Sequence, residues 1–360
     1  LRESRTLFSK MNMLKKLQQQ GIKYVKAALI LTEAVTSVLL PELSPVVGYV
    51  VVHSSFYRGL YLRNVRQANG RLYLLKRRKR NLIKNLKKMP VKFLPDEHKY
   101  VSIDSSENIK WTSVTSVISD YKEHFDADAI AERSSKNKKS KWYGMSPEDI
   151  KNAWKNESDR AITLGTWYHN QRESDVLGCS TINRDGLDLK IVKSIEIDGI
   201  KTAPNQKLEN GIYPEHFVYL KSAGICGQSD RVEVVNDRVD IYDYKTNKEI
   251  KKESYKNWEG ISKKMFYPVS HLDDCNYNHY ALQLSLYMYI ILKHNPRLRS
   301  GKLLLDHVIF EDDGIDNKGN KIHRLDLEGH PIIKNIERYE LPYLKTEVIS
   351  IIHHLNDSST

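Results

Sequence analysis

Residues 224–246 read GICGQSDRVEVVNDRVDIYDYKT, two strand-favouring arms around a two-residue Asn236-Asp237 loop. If that turn closes a hairpin, Val235 faces Arg238, Val234 faces Val239, Val232 faces Ile241, and Asp230 faces Asp243. Directly opposed residues have Cβ atoms roughly 4.5–5.5 Å apart, where like charges repel unless something neutralises them. A divalent cation would do so. The period of two puts Lys245 on the face of Asp243 and turns Tyr242 and Tyr244 the other way. One face then offers Asp, Asp and Lys, and the main-chain carbonyl of Tyr244 lies between the last two. Such a set suits a hard, oxygen-seeking ion such as magnesium or manganese, and the activation of a water against a phosphodiester. A nearby metal would lower the pKa of Lys245 and the two aspartates would raise it. The plain alternative is a surface hairpin with scattered charge, because a DxK tripeptide is common.

Three further segments carry side chains of the same kind. Residues 164–175, LGTWYHNQRESD, lead into a predicted helix with His169 and Glu173 four apart on one face. Residues 213–220, YPEHFVYL, form a short predicted strand with Glu215 near its start. Residues 276–292, NYNHYALQLSLYMYIIL, show helical spacing of Tyr277, Tyr280, Ala281, Leu284, Tyr287 and Met288, with Gln283 and Tyr287 four apart. Each has a bland reading beside the chemical one. His169 is one of 13 histidines, Glu173 fits an ordinary helix surface, the tyrosines fit core packing, and Gln283 could satisfy a buried backbone group.

The order GTxxH, PE, GxxD, DxK, QxxxY resembles the RecB-type nucleases of the PD-(D/E)XK superfamily over roughly residues 110–310. Relatives there include nuclease domains of recombination helicases and CRISPR-associated, mitochondrial and phage exonucleases. The resemblance implies an α/β, restriction-endonuclease-like core: a mixed central β-sheet flanked by helices. It implies that Asp230 and Asp243 hold the metal, that Lys245 positions or activates water, and that His169 is a further ligand or orienter. Glu215 matches the acidic residue ahead of the hairpin. Gln283 and Tyr287, with Thr246 beside the lysine, match positions that support the site and touch DNA. The implied activity is metal-dependent hydrolysis of DNA, on ends or single strands, in recombination, repair or phage genome processing in the cytoplasm. Recombination or replication proteins are the implied partners. A structure-selective endonuclease and a non-catalytic DNA-binding or assembly protein on the same fold are the rivals.

Elements must hold these residues in place. Residues 111–125 read as a helix with Val114, Val117, Ile118 and Tyr121 inward. Residues 133–142, RSSKNKKSKW, read as a basic loop that either folds over substrate or is a solvated connection. Ser146-Pro147-Glu148 opens a helix carrying Trp154 and extending toward His169. Residues 301–310 predict a strand flanking the sheet, 311–336 a charged hairpin insertion, and 342–355 a helix with Leu344, Val348, Ile351 and Leu355 on one face.

Charge divides the chain. It has 57 basic and 45 acidic residues, net +12, yet residues 1–88 alone hold 19 Lys and Arg against three acids. The remaining 272 residues have 38 basic and 42 acidic, net −4. Three readings fit the first 88 residues. They could be a basic DNA-binding arm, with the run KRRKRNLIKNLKK at residues 76–88. They could be membrane-associated, although the uncharged stretch 43–57 has 15 residues, short of the roughly 20 that a spanning helix needs. Or they lie outside the native product, with Met89 opening a strand, a Pro-Asp turn and a second strand. No secretory signal is expected. Cys179, Cys226 and Cys275 lack CxxC spacing and are too few for an iron-sulfur cluster or a disulfide framework, so none is expected.

Overall fold

In the computed structural model, the described residues are 91–94, 99–103, 109–197, 200–202, 206–316 and 320–357. The expectations for residues 1–88 and for a start at Met89 lie outside them. The two strands expected just after it are present, Val91–Leu94 pairing antiparallel with Lys99–Ser102.

Valine-rich arms and long apolar runs build a six-stranded mixed sheet. Its strands are β1 (Thr112–Ser113), β2 (Gly211–Leu220), β3 (Ile225–Val235), β4 (Arg238–Lys245), β5 (Arg299–Phe310) and β6 (Ile333–Leu341). The order is β6-β5-β4-β3-β1, with β2 on the opposite edge of β3. Pairs β4–β5 and β1–β3 are parallel and the rest antiparallel. Among the described residues five α-helices accompany it: α1 (Val114–Ser119), α2 (Ala127–Lys136), α3 (Pro147–Gly178), α4 (Asn276–His294) and α5 (Lys345–Asp357). The chain is thus a mixed α/β protein with a mixed central sheet flanked by helices.

Helix α4 makes the crossover between parallel strands β4 and β5, as such a pair requires. It is apolar almost all round, and Ala281, Leu282, Leu284, Leu286 and Met288 are buried. They pack with Val232, Val234, Val239 and Ile241 of the hairpin, with α1, and with Val348, Ile351 and Ile352 of α5. The other face of the sheet receives α3, where Tyr168 packs on Tyr244, Val308 and Phe310. Ser146 caps α3 by accepting from the Asp149 amide, and Pro147 occupies its first turn. The helix runs 32 residues, through His169 to Gly178.

Several boundaries differ from the sequence reading. The helix expected over 111–125 spans only Val114–Ser119, because Thr112 and Ser113 join the sheet beside β3 and the Ser113 side chain caps the helix at Ser116. The basic stretch from 133 is helical up to Lys136, in α2, which begins at an Asp126 cap. Strand β5 lies between β4 and β6, inside the sheet and not at its flank. The expected insertion does contain a hairpin, Asp312–Ile315 with Lys321–His323, but β6 begins at Ile333 and pairs along β5, so the insertion ends earlier than residue 336. The last helix starts at Lys345, and Val348 and Ile351 are buried as the spacing predicts.

Candidate metal and hydrolytic site

The hairpin register matches the spacing argument: Val235 pairs with Arg238, Val234 with Val239, Val232 with Ile241 and Arg231 with Tyr242. Asn236 in the turn takes φ 58°, a left-handed conformation that asparagine tolerates. The ladder stops one pair short of the expected Asp230–Asp243 apposition. On the edge of β3 that meets β4 at one end and β1 at the other, residues 227–230 have no ladder partner among the described residues. The strands fork there. The Asp230 carboxylate takes over as acceptor for the freed Tyr244 amide, Oδ2 to N 2.8 Å.

A second irregularity coincides with the fork. Tyr213 and Val218 of β2 share one core cluster although five residues apart, and so do Ile225 and Val232 of β3, seven apart. Strict alternation would put each pair on opposite faces. The phase slips inside each strand, and Glu215 and Asp230 lie within the slipped intervals. Pro214 pairs with Arg231 and His216 with Ser229, so Glu215 and Asp230 come opposite each other. Glu215 has φ 48°, a strained value for a residue with a side chain, which costs about 1–3 kcal/mol and often marks a functional position.

His169 reaches this fork from α3. Its Nε2 lies 3.0 Å from the Tyr244 carbonyl oxygen and its Nδ1 3.5 Å from Asp230 Oδ2. Both ring nitrogens face acceptors, which a doubly protonated imidazolium satisfies. Burial disfavours that charge, but the hydrogen bond and field of Asp230 outweigh it and raise the His169 pKa to about 9. Ligating atoms of His169, Glu215 and Asp230 all lie within 4.8 Å of one another. An open depression lined by Gly165, Thr166, His169, Asn170 and Glu215 gives access to them. A Cβ at Gly165 of α3 would make an ordinary van der Waals contact, 3.5 Å from Oγ1 of Thr246, the residue that follows β4.

Asp243 and Lys245 stand on the α4 side. Asp243 is 2 % exposed, and its Oδ2 is ion-paired with Lys245 Nζ. That oxygen makes no well-angled hydrogen bond, and Oδ1 has only a long one from Gln283 Nε2 at 3.4 Å. Burial, with the charge of Asp230, pushes the Asp243 pKa up to about 6 against the pull of Lys245. Gln283 Nε2 also donates to Tyr287 Oη at 3.4 Å. Gly227 makes room for Tyr287, as a Cβ there would meet its ring at 2.9 Å.

Three carboxylates therefore crowd around one lysine and one histidine, with an under-partnered buried oxygen on Asp243. The donor set of carboxylate oxygens, an imidazole and the Tyr244 carbonyl fits a magnesium- or manganese-sized cation. The compact ligand cluster is His169, Glu215 and Asp230, while Asp243 is held by Lys245 and Gln283. Glu173, half-buried on α3, is outside that cluster.

Some partners escaped the sequence reading. Gln228 Nε2 donates to Glu215 Oε2 at 2.6 Å, and its place two residues before Asp230 was the available signal. Tyr280, read there as core, has its ring 5.1 Å from Lys245 Nζ, and its hydroxyl donates to Asn247 Oδ1 at 2.8 Å. Among the described residues no helix is long and apolar enough to cross a membrane. No family model, curated protein or solved structure matches the chain.

Proposed function

We propose that the chain is a RecB-type nuclease on a PD-(D/E)XK core, a magnesium- or manganese-dependent enzyme that hydrolyses DNA phosphodiester bonds at ends or in single strands. The observation that carries this reading is the fork itself. Five motif residues from four separate segments, His169, Glu215, Asp230, and Asp243 with Lys245, gather where β3 and β4 part. A motif scattered on a surface would not bring His169, Glu215 and Asp230 within ligand distance of one another, two of them lining an accessible depression.

Glu215 and Asp230, with the Tyr244 carbonyl, would hold the metal on the accessible side, joined by His169 once the cation displaces its proton, and Asp243 supplies a buried oxygen beside them. The bound ion would screen the phosphate and make a water acidic enough to attack it near neutral pH. Lys245, held by Asp243 and by the face of Tyr280, presents an ammonium that stabilises charge growing on the phosphate oxygens. Gln283 reaches Asp243 from α4 through a long hydrogen bond and is itself joined to Tyr287.

The test is cleavage of end-labelled linear single strands, linear duplex and circular single strands, with magnesium, manganese or chelator. Wild type is expected to degrade linear substrates only with metal, and Lys245→Ala to lose cleavage while still binding DNA. Cleavage that persists in Lys245→Ala, or in chelator, overturns the site assignment. Cut circles would replace the exonuclease by an endonuclease on the same site.

A further inference from the structure

The segment that leaves the site after Lys245 has a composition unlike the domain around it. Residues 245–267 hold seven lysines against three glutamates, whereas residues 89–360 as a whole are net −4. Within it Tyr255, Trp258 and Ile261 are exposed, Trp258 by 90 %. Tryptophan is seldom so bare in a folded protein. Its ring stacks on no other ring and meets no cation among the described residues.

The tip that displays Trp258 is tightly hydrogen-bonded. Asn257 Oδ1 accepts from the amides of Glu259 and Ile261 at 3.0 and 2.9 Å, and the Gly260 amide donates to the Asn257 carbonyl at 2.9 Å. Below it Lys256 bridges to Ser262, and the Lys263 amide donates to the Tyr255 carbonyl at 2.9 Å. The segment is also tied to the site. Asn276 at the start of α4 accepts from the Lys251 amide at 2.7 Å and donates to the Glu249 carbonyl at 2.9 Å. One helical turn further along α4 is Tyr280, whose ring meets Lys245. Lys248 pairs with Glu157 of α3 at 3.0 Å.

We infer that this tip is a docking platform for single-stranded DNA entering the site, with Trp258 stacking on a base and the surrounding lysines holding the flanking phosphates. The inference rests on the proposed DNA-cleaving function and adds the form of the substrate. Base stacking needs an open base face, which every nucleotide of a single strand offers and an intact duplex hides. Lys256 of the tip is paired with the exposed Glu253, and Lys263 with the exposed Glu123 as well as the largely buried Asp274. The pairs with Glu253 and Glu123 are surface pairs, weak enough to yield to phosphate.

The test uses the full chain in chelator, so that binding is read without cleavage, with labelled single-stranded and duplex oligonucleotides in polarisation titrations. Trp258→Ala should bind single strands about tenfold more weakly and duplex unchanged. Trp258→Phe should recover most of the loss, and Leu327→Ala, at a still more exposed position elsewhere, should bind as wild type does. Equal single-strand affinity in Trp258→Ala, a loss shared by duplex, or no oligonucleotide binding by wild type would each overturn the inference. So would Trp258-dependent sedimentation with anionic vesicles in place of single-strand binding. Because no arm needs hydrolysis, an inactive wild type that still binds through Trp258 would sink the nuclease reading and leave the platform standing.

Discussion

The two ends of the β3–β4 hairpin are made from the same strands and hold opposite chemistry. At the turn end, Val232, Val234, Val239 and Ile241 are fully paired and fully buried against α4. At the open end the ladder stops, and Asp230 and Asp243 are brought together with Glu215 from the next strand. The first end gains from removing apolar surface from water. The second concentrates like charge and holds Glu215 in a strained conformation, so it persists only because the first end and the two helices fix the backbone around it. Stability and chemistry are thus separated along one supersecondary unit, about three residue pairs apart.

That contrast can be broken experimentally, most severely at the open end. Asp243→Asn should lower cleavage on the order of a thousandfold. In chelator the same variant should melt close to wild type, since the loss of a buried carboxylate pushed up to about 6 by burial and Asp230 is offset by the loss of the ion-pair partner of Lys245. A marked drop in melting temperature would mean that Asp243 is structural first. Ile241→Ala should show the converse. It removes a fully buried side chain and should cost about 2–5 kcal/mol in denaturant titration, with cleavage per folded molecule little changed.

The third test concerns the strand row beside the site. His216 is buried with its Nε2 unpartnered, and burial, aided by the charge of His294, lowers its pKa to about 4. As pH falls below the unfolded value near 6.5, the unfolded chain takes up a proton that the folded chain refuses until about pH 4. This group should therefore cost about 3 kcal/mol of stability between those limits and nothing above pH 6.5. His216→Phe should flatten that part of the stability profile. An unchanged slope would show that other groups, such as the site carboxylates, govern acid unfolding.

Much of the local architecture was legible. The hairpin register followed from the two-residue turn and the alternation of valines, both decided by neighbours in sequence. Helix α4 followed from its apolar period, and the capped start of α3 from Ser146-Pro147. The shortened α1 was hidden because Thr112 and Ser113 are drawn into the sheet by Ile225 and Cys226, a partner over a hundred residues away. The inner position of β5 depends on the α4 crossover and not on the composition of the strand itself.

For the site, the amino-acid sequence by itself determined which side chains were available, and it placed Asp243 and Lys245 on one strand face with Asp230 across the turn, because a period of two and a short loop leave little choice. Tertiary structure alone decided that the ladder would fork before Asp230, that the strands would slip phase at Glu215 and Asp230, and that His169 would lie between Asp230 and the Tyr244 carbonyl. The physical reason is the range of the forces. Alternation and turn chemistry act over a few residues, whereas the fork arises from the competition of β1 and β4 for one edge of β3, and from packing α3 and α4 on opposite faces of the sheet.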